Sequence, residues 1–287
     1  MGIDVHASRV ARGALQAIVL RLSDAERKEY FNLHYWRYVE TLKEMITWSG
    51  KRVLDIGIVP GHMAMALRHL GCEVSGITDD RLLQEMNGRW AAEKIAVSRA
   101  IVDKEPLPFP DDSFDGVLFT EVLEHLLYDP RKLVDEIYRV MRPNGELVVS
   151  TPNVLRIENK VKVILGRNIY PRHENFYFSD LYRRHNREYT MQELIDLFKP
   201  RFVTKKMRYI MMTDFAVPMS DNGKVFDIHE YAEVGKLRGN GYGSRRNLKE
   251  TAKLFLRLPK VLYPPFRSGL LVSFVSSKST PQGRETT

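Results

Sequence analysis

The chain has 287 residues, of which 44% are hydrophobic and 28% are charged. This length and composition are typical of one globular domain with embellishments and exclude a wholly disordered chain. The single cysteine, Cys72, excludes an internal disulfide and a cysteine zinc cage, and it favours a reducing, cytoplasmic location. The formal charge of +8 favours anionic partners, although the basic residues are spread along the chain. No apolar stretch reaches the length of a membrane-spanning helix.

Residues 1–50 are predicted to be a helical N-terminal segment. Ser23 and Asp24 are candidate caps of a helix that would run to Trp48.

Residues 51–153 alternate between short apolar runs and helical patterns. Strands are predicted at 52–56, 73–77, 100–102, 114–120 and 146–150. Helices are predicted between them, one around 82–95, one from 130 to 140, and one that starts near Met63 and ends at Gly71. This alternation predicts a doubly wound, three-layer α/β/α sandwich with a mostly parallel sheet.

The remaining chain is less regular. Residues 154–190 hold many tyrosines, histidines and arginines and are predicted to form a substrate cap insertion. Residues 191–287 would complete the sheet, with a helix capped by Thr190, strands at 202–212 and 270–276, and a basic insertion at 213–267. Within 247–267, apolar residues at helical spacing among cations leave two interpretations: a helix packed on the sheet, or peripheral contact with an anionic membrane surface.

The first strand leads into the most distinctive local motif, VLDIGIVPGH at 53–62. Gly57 and Gly61 permit positive φ and close approach of the backbone to a ligand at the carboxyl edge of the sheet. Their G-x-x-x-G spacing differs from the G-x-G-x-x-G of dinucleotide-binding loops. Asp55 at the strand end would repel phosphates, and it suits a ligand that carries an ammonium and a sulfonium.

The next two strand ends also carry polar residues. Asp79, or alternatively Thr78, is placed to accept hydrogen bonds from a ribose diol. Asp103 could accept a hydrogen bond from the exocyclic amine of an adenine. Leu107 and Phe109 would pack against the adenine ring.

Five segments in order carry a resemblance to a known family: VLDIGIVPGH (53–62), GITD (76–79), LPFPDDSFD after Asp103 (107–115), EVLEHL (121–126) and VMRPNGELVVSTPN (140–153). Together they resemble class I S-adenosylmethionine-dependent methyltransferases, in particular the small-molecule group that includes ubiquinone-biosynthesis O-methyltransferases. The resemblance covers residues 51–153 closely and extends more weakly to the last strand.

The resemblance implies a seven-stranded sheet with one antiparallel strand, S-adenosylmethionine as methyl donor, and no metal requirement. It places Asp55, Gly57 and Gly61 along the methionine portion of the cofactor and Glu121 at the edge of its pocket. It also implies a small-molecule methyl acceptor, with oxygen as the methylated atom by family analogy alone. Contact of the basic segment 247–267 with a membrane would suit a lipid-linked acceptor.

Two departures from the family pattern keep a second hypothesis open. Val59, followed by Pro60, replaces the usual middle glycine of the first loop, and Thr78 stands where the ribose acid is usual. A catalytically silent adenosyl-binding or partner-binding homologue is therefore the alternative. A nicotinamide oxidoreductase is disfavoured by the glycine spacing and by Asp55.

Transfer to a hydroxyl benefits from a general base, and two histidines compete for that role. His125 follows the fourth strand, and His185 ends the cap insertion; the alternatives are a scaffold role for the first and a capping or surface role for the second. Tyr177 and Arg187 in the same insertion are candidate substrate contacts. No nucleic-acid recognition motif accompanies them, so a small-molecule or glycan acceptor is favoured. The sequence leaves the oligomeric state open.

Overall fold

The computed structural model describes residues 2–23, 30–79, 83, 88–178, 184–212 and 263–279. Within these residues the helices are α1 (Gly2–Val19), α2 (Asn32–Leu42), α3 (His62–His69), α4 (Arg131–Val140), α5 (Ile157–Ile164), α6 (His173–Tyr177) and α7 (Met191–Phe198), with short 3-10 helices at Leu123–His125 and Pro264–Phe266. The strands are β1 (Arg52–Ile56), β2 (Glu73–Thr78), β3 (Ala96–Arg99), β4 (Phe114–Thr120), β5 (Met141–Pro152), β6 (Phe202–Ile210) and β7 (Gly269–Ser276).

The described strands form one seven-stranded sheet in the order β3-β2-β1-β4-β5-β7-β6. Pairs from β3 to β5 are parallel, and β7 runs antiparallel to both of its neighbours. This is the predicted doubly wound sheet with one antiparallel strand. The order reverses on either side of β1 and β4, and their carboxyl ends therefore border the crevice in which such folds bind ligands.

Hydrophobic residues of the sheet pack on two sides, because successive side chains of a strand point to opposite faces. On β1, Val53 belongs to the core beneath α1, α2 and α3, and Leu54 belongs to the core beneath α4 and α7. On β5, Val148 joins the first core and Val149 the second. The near-continuous apolar runs of these strands thus follow from burial on both faces.

Several local predictions are confirmed. Gly71, with φ of 88°, follows the last turn of α3 as its left-handed cap residue. Thr190 caps α7, and its side chain and that of Glu193 form a reciprocal capping box.

Two element predictions were wrong in position. The third strand is Ala96–Arg99 and not 100–102. It is a half-exposed edge strand with a weak apolar pattern, whereas the buried Ala100 packs in the core just beyond it. The N-terminal helix predicted to reach Trp48 ends at Leu42, and turns follow.

Other predictions fall partly on undescribed residues. Residues 82 and 84–87 of the helix predicted around 82–95, and residues 213–262 of the basic insertion, lie outside the described residues; of that helix, residues 88–92 are described and helical. Among the described helices, none combines the length and apolar character needed to cross a lipid bilayer.

Candidate active site

A small cavity of about 60 Å³ lies at the carboxyl ends of β1 and β4. Its walls come from the β1–α3 loop, from α2 and from the end of β4: Tyr30, Arg37, Tyr38, Asp55, Gly57, Ile58, Val59, Pro60, Gly61, His62, Met63, Thr120 and Glu121. Pockets for whole drug-sized ligands run to roughly 300 Å³ and more. The volume therefore matches one end of such a ligand. The other end of the ligand would lie at the neighbouring strand ends, next to residues 80–87, most of which are undescribed.

Asp55 is buried at this cavity and is only 4% exposed. Burial raises the pKa of its carboxyl to about 7. A carboxylate in such a place is stabilised when a cationic group comes to it. The site therefore favours a positively charged ligand, as the sequence predicts.

The two loop glycines lie where side chains cannot fit. Gly57 has φ of 78°, and a Cβ on it would lie 2.3 Å from Val122 Cγ2. Gly61 has φ of 93°, and a Cβ there would lie 2.3 Å from the ring of the buried Trp90. Close packing, as well as any ligand, thus requires these glycines.

Val59 is accommodated in the same loop without a left-handed backbone. It is not among the residues with positive φ, and its side chain packs against the core beneath α1, α2 and α3. The valine therefore imposes no backbone strain of the kind that a left-handed conformation would bring.

Arg37 of α2 is a pocket residue that the sequence interpretation missed. It is 5% exposed, its Nη1 lies 3.7 Å from Glu121 Oε2, and its Nε is buried with no hydrogen-bond partner. Burial opposes its charge, but Glu121 and other nearby groups raise the pKa of Arg37 above its ordinary value. The signal available in the sequence was an arginine inside the aromatic run YWRY, since a buried cation needs an anionic partner.

Glu121 is held firmly at the pocket edge, where the family resemblance placed it. Its φ of 58° is unusual for a residue other than glycine. Its backbone N–H donates to the Ser150 carbonyl, and its Oε1 accepts a hydrogen bond of 2.8 Å from Ser150 Oγ. Strained backbone of this kind is concentrated at functional sites.

The two candidate ribose residues end β2. Thr78 is buried, and its carbonyl accepts the N–H of Ala100. Asp79 is half-buried, and its carbonyl accepts the N–H of Leu83. Neither lines the small cavity, so the ribose assignment stays a prediction.

Asp103 and Leu107 have structural contacts that the adenine hypothesis did not foresee. Asp103 is buried, and its Oδ2 accepts N–H hydrogen bonds from Leu127 at 2.8 Å and Tyr128 at 3.4 Å. Leu107 packs in the core beneath α4 and donates its N–H to Glu136. Asp103 thus holds the loop that follows the 3-10 helix, whereas Leu107 is bound to α4. The contact of either residue with a purine stays a prediction.

The two candidate bases lie side by side. The ring centroids of His125 and His185 are 5.0 Å apart at an interplanar angle of 78°. His125 is half-buried, and burial lowers the pKa of its imidazole. His185 is more exposed. The structure therefore brings together two predicted site residues that are 60 positions apart in the sequence.

Glu124 lies beneath this pair and was not singled out from the sequence. Its side chain is 1% exposed, and its Oε2 accepts a hydrogen bond of 2.9 Å from Thr151 Oγ1. Burial, and then the neighbouring Glu121, raise the pKa of Glu124 above its ordinary value. The available sequence signal was the polar pair Ser150-Thr151 at the end of a buried strand, because these hydroxyls are the hydrogen-bond partners of Glu121 and Glu124.

The predicted substrate contacts lie on the surface. Tyr177 is 63% exposed at the end of α6. Arg187 forms an ion pair of 2.7 Å with Glu193 and lies over the Tyr189 ring. Neither lines the small cavity, and their contact with a substrate stays a prediction.

Comparison with known proteins places the core of the chain in one family. Residues 54–149 match the sequence profile described as "Methyltransferase domain". A demethylmenaquinone methyltransferase from Clavibacter sepedonicus is 34% identical over 126 residues, which are 43% of this chain and 51% of that protein. The mitochondrial ubiquinone biosynthesis O-methyltransferase of Schizosaccharomyces pombe is 26% identical over 136 residues, or 45% and 48% of the two chains. The chain thus spans about half the length of these relatives.

A solved structure supports the fold. The S-adenosylmethionine-dependent methyltransferase from Mesorhizobium loti superposes with a TM-score of 0.51 at 18% identity, covering 79% of this chain and 92% of that one. At this identity the likeness concerns the fold alone.

The donor set at the cavity fits the amino-acid end of the family's cofactor, S-adenosylmethionine. A buried carboxylate, Asp55, complements an ammonium, and the unpartnered guanidinium nitrogen of Arg37 complements a carboxylate. The β1 motif, its pocket and the sequence match agree, and residues 54–149 are a methyltransferase domain of the class I S-adenosylmethionine-dependent family.

Proposed function

We propose that the protein transfers a methyl group from S-adenosylmethionine to an oxygen atom of a small acceptor. The observation that carries the proposal is the cavity in which Asp55, Arg37 and Glu121 meet behind the β1 motif. When bound, the cofactor supplies a methyl group that its sulfonium already activates. The residues of the chain therefore have to bind, orient and exclude water, and such positioning accounts for roughly 7–11 kcal/mol in well-oriented reactions.

The pocket residues divide this work. Asp55 binds the cofactor's ammonium, and Arg37 binds its carboxylate, while Glu121 fixes the guanidinium. Thr78 or Asp79 faces the ribose at the end of β2. Around the adenine, Asp103 acts by holding the loop at 127–128 as one wall.

The acceptor oxygen is placed next to His125 and His185. This location is supported by the proximity of the pair to Glu124, three residues after the pocket-lining Glu121. Segment 154–190 would close over the acceptor, with Tyr177 and Arg187 available for contacts. Loops of this kind often carry substrate specificity.

An exposed apolar surface at the C-terminal end of α5 supports an acceptor presented at a lipid surface. Val163, Ile164 and Leu165 are 63%, 82% and 61% exposed, next to the cationic residues Lys162 and Arg167. Apolar side chains beside cations are typical of helices that lie on anionic membranes. We expect sedimentation with anionic liposomes at low salt and its loss in Ile164→Glu; equal sedimentation of both proteins would remove the membrane from the proposal.

Labelled-methyl transfer tests the activity itself. The full chain would be incubated with S-adenosylmethionine labelled in its methyl group and with pools of hydroxyl-containing metabolites and lipid extracts. Label is expected in an acceptor, with S-adenosylhomocysteine formed in equal amount. Tight binding of the cofactor without transfer to any pool would favour the catalytically silent homologue that the Val59 and Thr78 departures keep open.

A further inference from the structure

We propose that Glu124, His125 and His185 form a binding site for a divalent transition-metal ion. One potential ligand atom from each residue lies within 4.8 Å of the other two, and Glu124 Oε1 is 3.8 Å from His125 Nε2. Three atoms bound at about 2.1 Å with tetrahedral angles would be roughly 3.4 Å apart. Rotation of the partly exposed His185 side chain would bring its ligand atom to this distance from the other two.

The state of Glu124 points independently to a missing partner. Its side chain is 1% exposed, and its Oε1 is buried without a hydrogen-bond partner. Its Oε2 is fixed by the hydrogen bond from Thr151. A buried carboxylate oxygen left in this condition is costly, whereas a cation at the cluster would satisfy it.

Hydrogen bonds at the far side of each imidazole orient the rings. His125 Nδ1 lies 3.0 Å from the Arg184 carbonyl oxygen, which can only accept, so Nδ1 carries the proton and Nε2 the lone pair. His185 Nδ1 lies 3.1 Å from Glu188 Oε1 in the same way. Outer contacts of this type are what hold metal-binding histidines in the correct tautomer.

Hydrogen bonds hold the backbone that carries the three ligands in place. The backbone N–H of Asn186 donates to the Glu124 carbonyl at 2.7 Å, and its side-chain amide donates to the His125 carbonyl at 2.8 Å. Together with the contact to Arg184, 59 positions from His125, these bonds fasten the segment that carries His185 against Glu124 and His125. Preorganisation of this kind favours binding because little has to be ordered.

The ligand types indicate which ions fit. Two imidazoles and one carboxylate suit Zn²⁺, Co²⁺, Mn²⁺ or Fe²⁺, whereas Mg²⁺ and Ca²⁺ prefer oxygen ligands. Three protein ligands leave at least one coordination position for a water or a substrate oxygen. The site departs from the expectation, drawn from the family resemblance, that no metal is involved.

The role of the ion rests on the proposed methyl transfer. A hydroxyl of the acceptor that binds the open position is acidified by the ion and releases its proton to solvent. Its oxygen then forms the bond to the methyl carbon while the carbon–sulfur bond breaks and its electron pair returns to sulfur. The products are the methyl ether and S-adenosylhomocysteine, and the ion is unchanged. The histidines thus act through the ion.

Titration of the full chain, without a histidine tag and without S-adenosylmethionine, tests the site. Visible absorption of Co²⁺ and calorimetry with Zn²⁺ would be measured for the wild type, His185→Ala, Glu124→Gln and the control His69→Ala, an exposed histidine of α3. We expect one Co²⁺ per chain, displaced by Zn²⁺ and not by excess Mg²⁺. His185→Ala and Glu124→Gln should weaken binding roughly tenfold or more.

Two results would overturn the proposal: no Co²⁺ bound by the wild type, or equal affinities of His185→Ala and His69→Ala. His185 is partly exposed, so His185→Ala remains informative even when Glu124→Gln does not fold, which thermal melting shows. A separate calorimetric titration with S-adenosylhomocysteine distinguishes the two proposals. Metal binding without cofactor binding would refute the methyltransferase function alone, and cofactor binding without metal binding would refute the metal site alone.

Discussion

The cofactor pocket and the histidine cluster each contain a buried carboxylate, but they are built from different parts of the chain. Asp55 lies within the segment that matches the methyltransferase domain, and Arg37 reaches it from the N-terminal α2. Glu124 and His125 lie in that segment too, whereas His185 comes from beyond it. Most of the residues at the proposed methyl-donor pocket thus belong to the segment that matches the family. The acceptor side of the proposed function includes His185 from outside the matched segment, and we expect such residues to determine the substrate.

The largest expected effect is at Asp55. Asp55→Asn removes the charge that we propose binds the cofactor's ammonium, and it should weaken S-adenosylhomocysteine binding on the order of 100-fold, as expected for a charge-assisted hydrogen bond in a buried site. The same change should raise the free energy of unfolding at pH 8, since no buried carboxyl has to ionise. Calorimetry and urea denaturation measure the two effects, with the exposed Asp196→Asn as control. Unchanged binding would remove Asp55 from the site.

The pH dependence of binding sharpens the same point. The pKa of Asp55 is raised to about 7 in the unliganded protein, so the carboxyl is mostly neutral below pH 7 and charged above it. A cationic ligand binds the charged form, and its affinity should therefore rise with pH, roughly 30-fold between pH 5.5 and 8. Binding at pH 7 should release protons, which calorimetry in buffers of different ionisation enthalpy detects. A flat profile in the wild type would contradict this account.

The unliganded protein should respond to pH in the opposite direction. An acid whose folded pKa lies above its unfolded value loses stability as pH rises from about 4 to 7, and the loss is complete above 7. The stability difference between Asp55→Asn and the wild type should grow over that window. If the difference in the free energy of unfolding does not change with pH, Asp55 is not the group whose pKa is raised.

Arg37 should show a smaller effect that is specific for one end of the ligand. Arg37→Met should weaken S-adenosylhomocysteine binding roughly tenfold or more, because a hydrogen-bonded cation is lost. Binding of methylthioadenosine, which lacks the amino-acid carboxylate, should be unaffected. Arg21→Met, a surface arginine paired with Glu93, is the control. Equal loss for both ligands would indicate a structural role for Arg37.

The last effect is on stability, not on ligand binding, and concerns the loop that supports the pocket. Gly57 and Gly50 share φ of 78°, but a Cβ would lie 2.3 Å from Val122 at Gly57 and in open space at Gly50. Gly57→Ala should therefore cost about 1–3 kcal/mol more than Gly50→Ala. Thermal or urea unfolding measures the difference. Equal costs would show that backbone conformation, and not packing against Val122, requires the glycine.

The same contrast explains how much was predictable from the sequence. The sheet, Asp55 and the two glycines followed from apolar runs and from a motif whose residues are adjacent in the chain. Arg37 was missed because its partner, Glu121, is distant in sequence and only the fold joins them. The third strand was misplaced because an edge strand lacks the apolar run of its buried neighbours.

The histidine cluster was predictable only in part. His125 and His185 were both candidates, but their contact depends on the hydrogen bonds of Arg184 and Asn186 to the loop after β4. Glu124, although next to His125, gave no separate signal, since an acidic residue in a short helix is ordinarily exposed. Its burial beside Thr151 is a property of the folded sheet.

The central claim is that the cavity between Asp55 and Arg37 holds the amino-acid end of the cofactor. A crystal structure of the full chain with S-adenosylhomocysteine tests it most directly. The account predicts the ligand's ammonium and carboxylate at hydrogen-bond distance, about 3 Å, from Asp55 and Arg37 respectively. A ligand bound elsewhere, or Val59 and Pro60 filling the cavity in a protein that takes up no adenosyl compound, would contradict it.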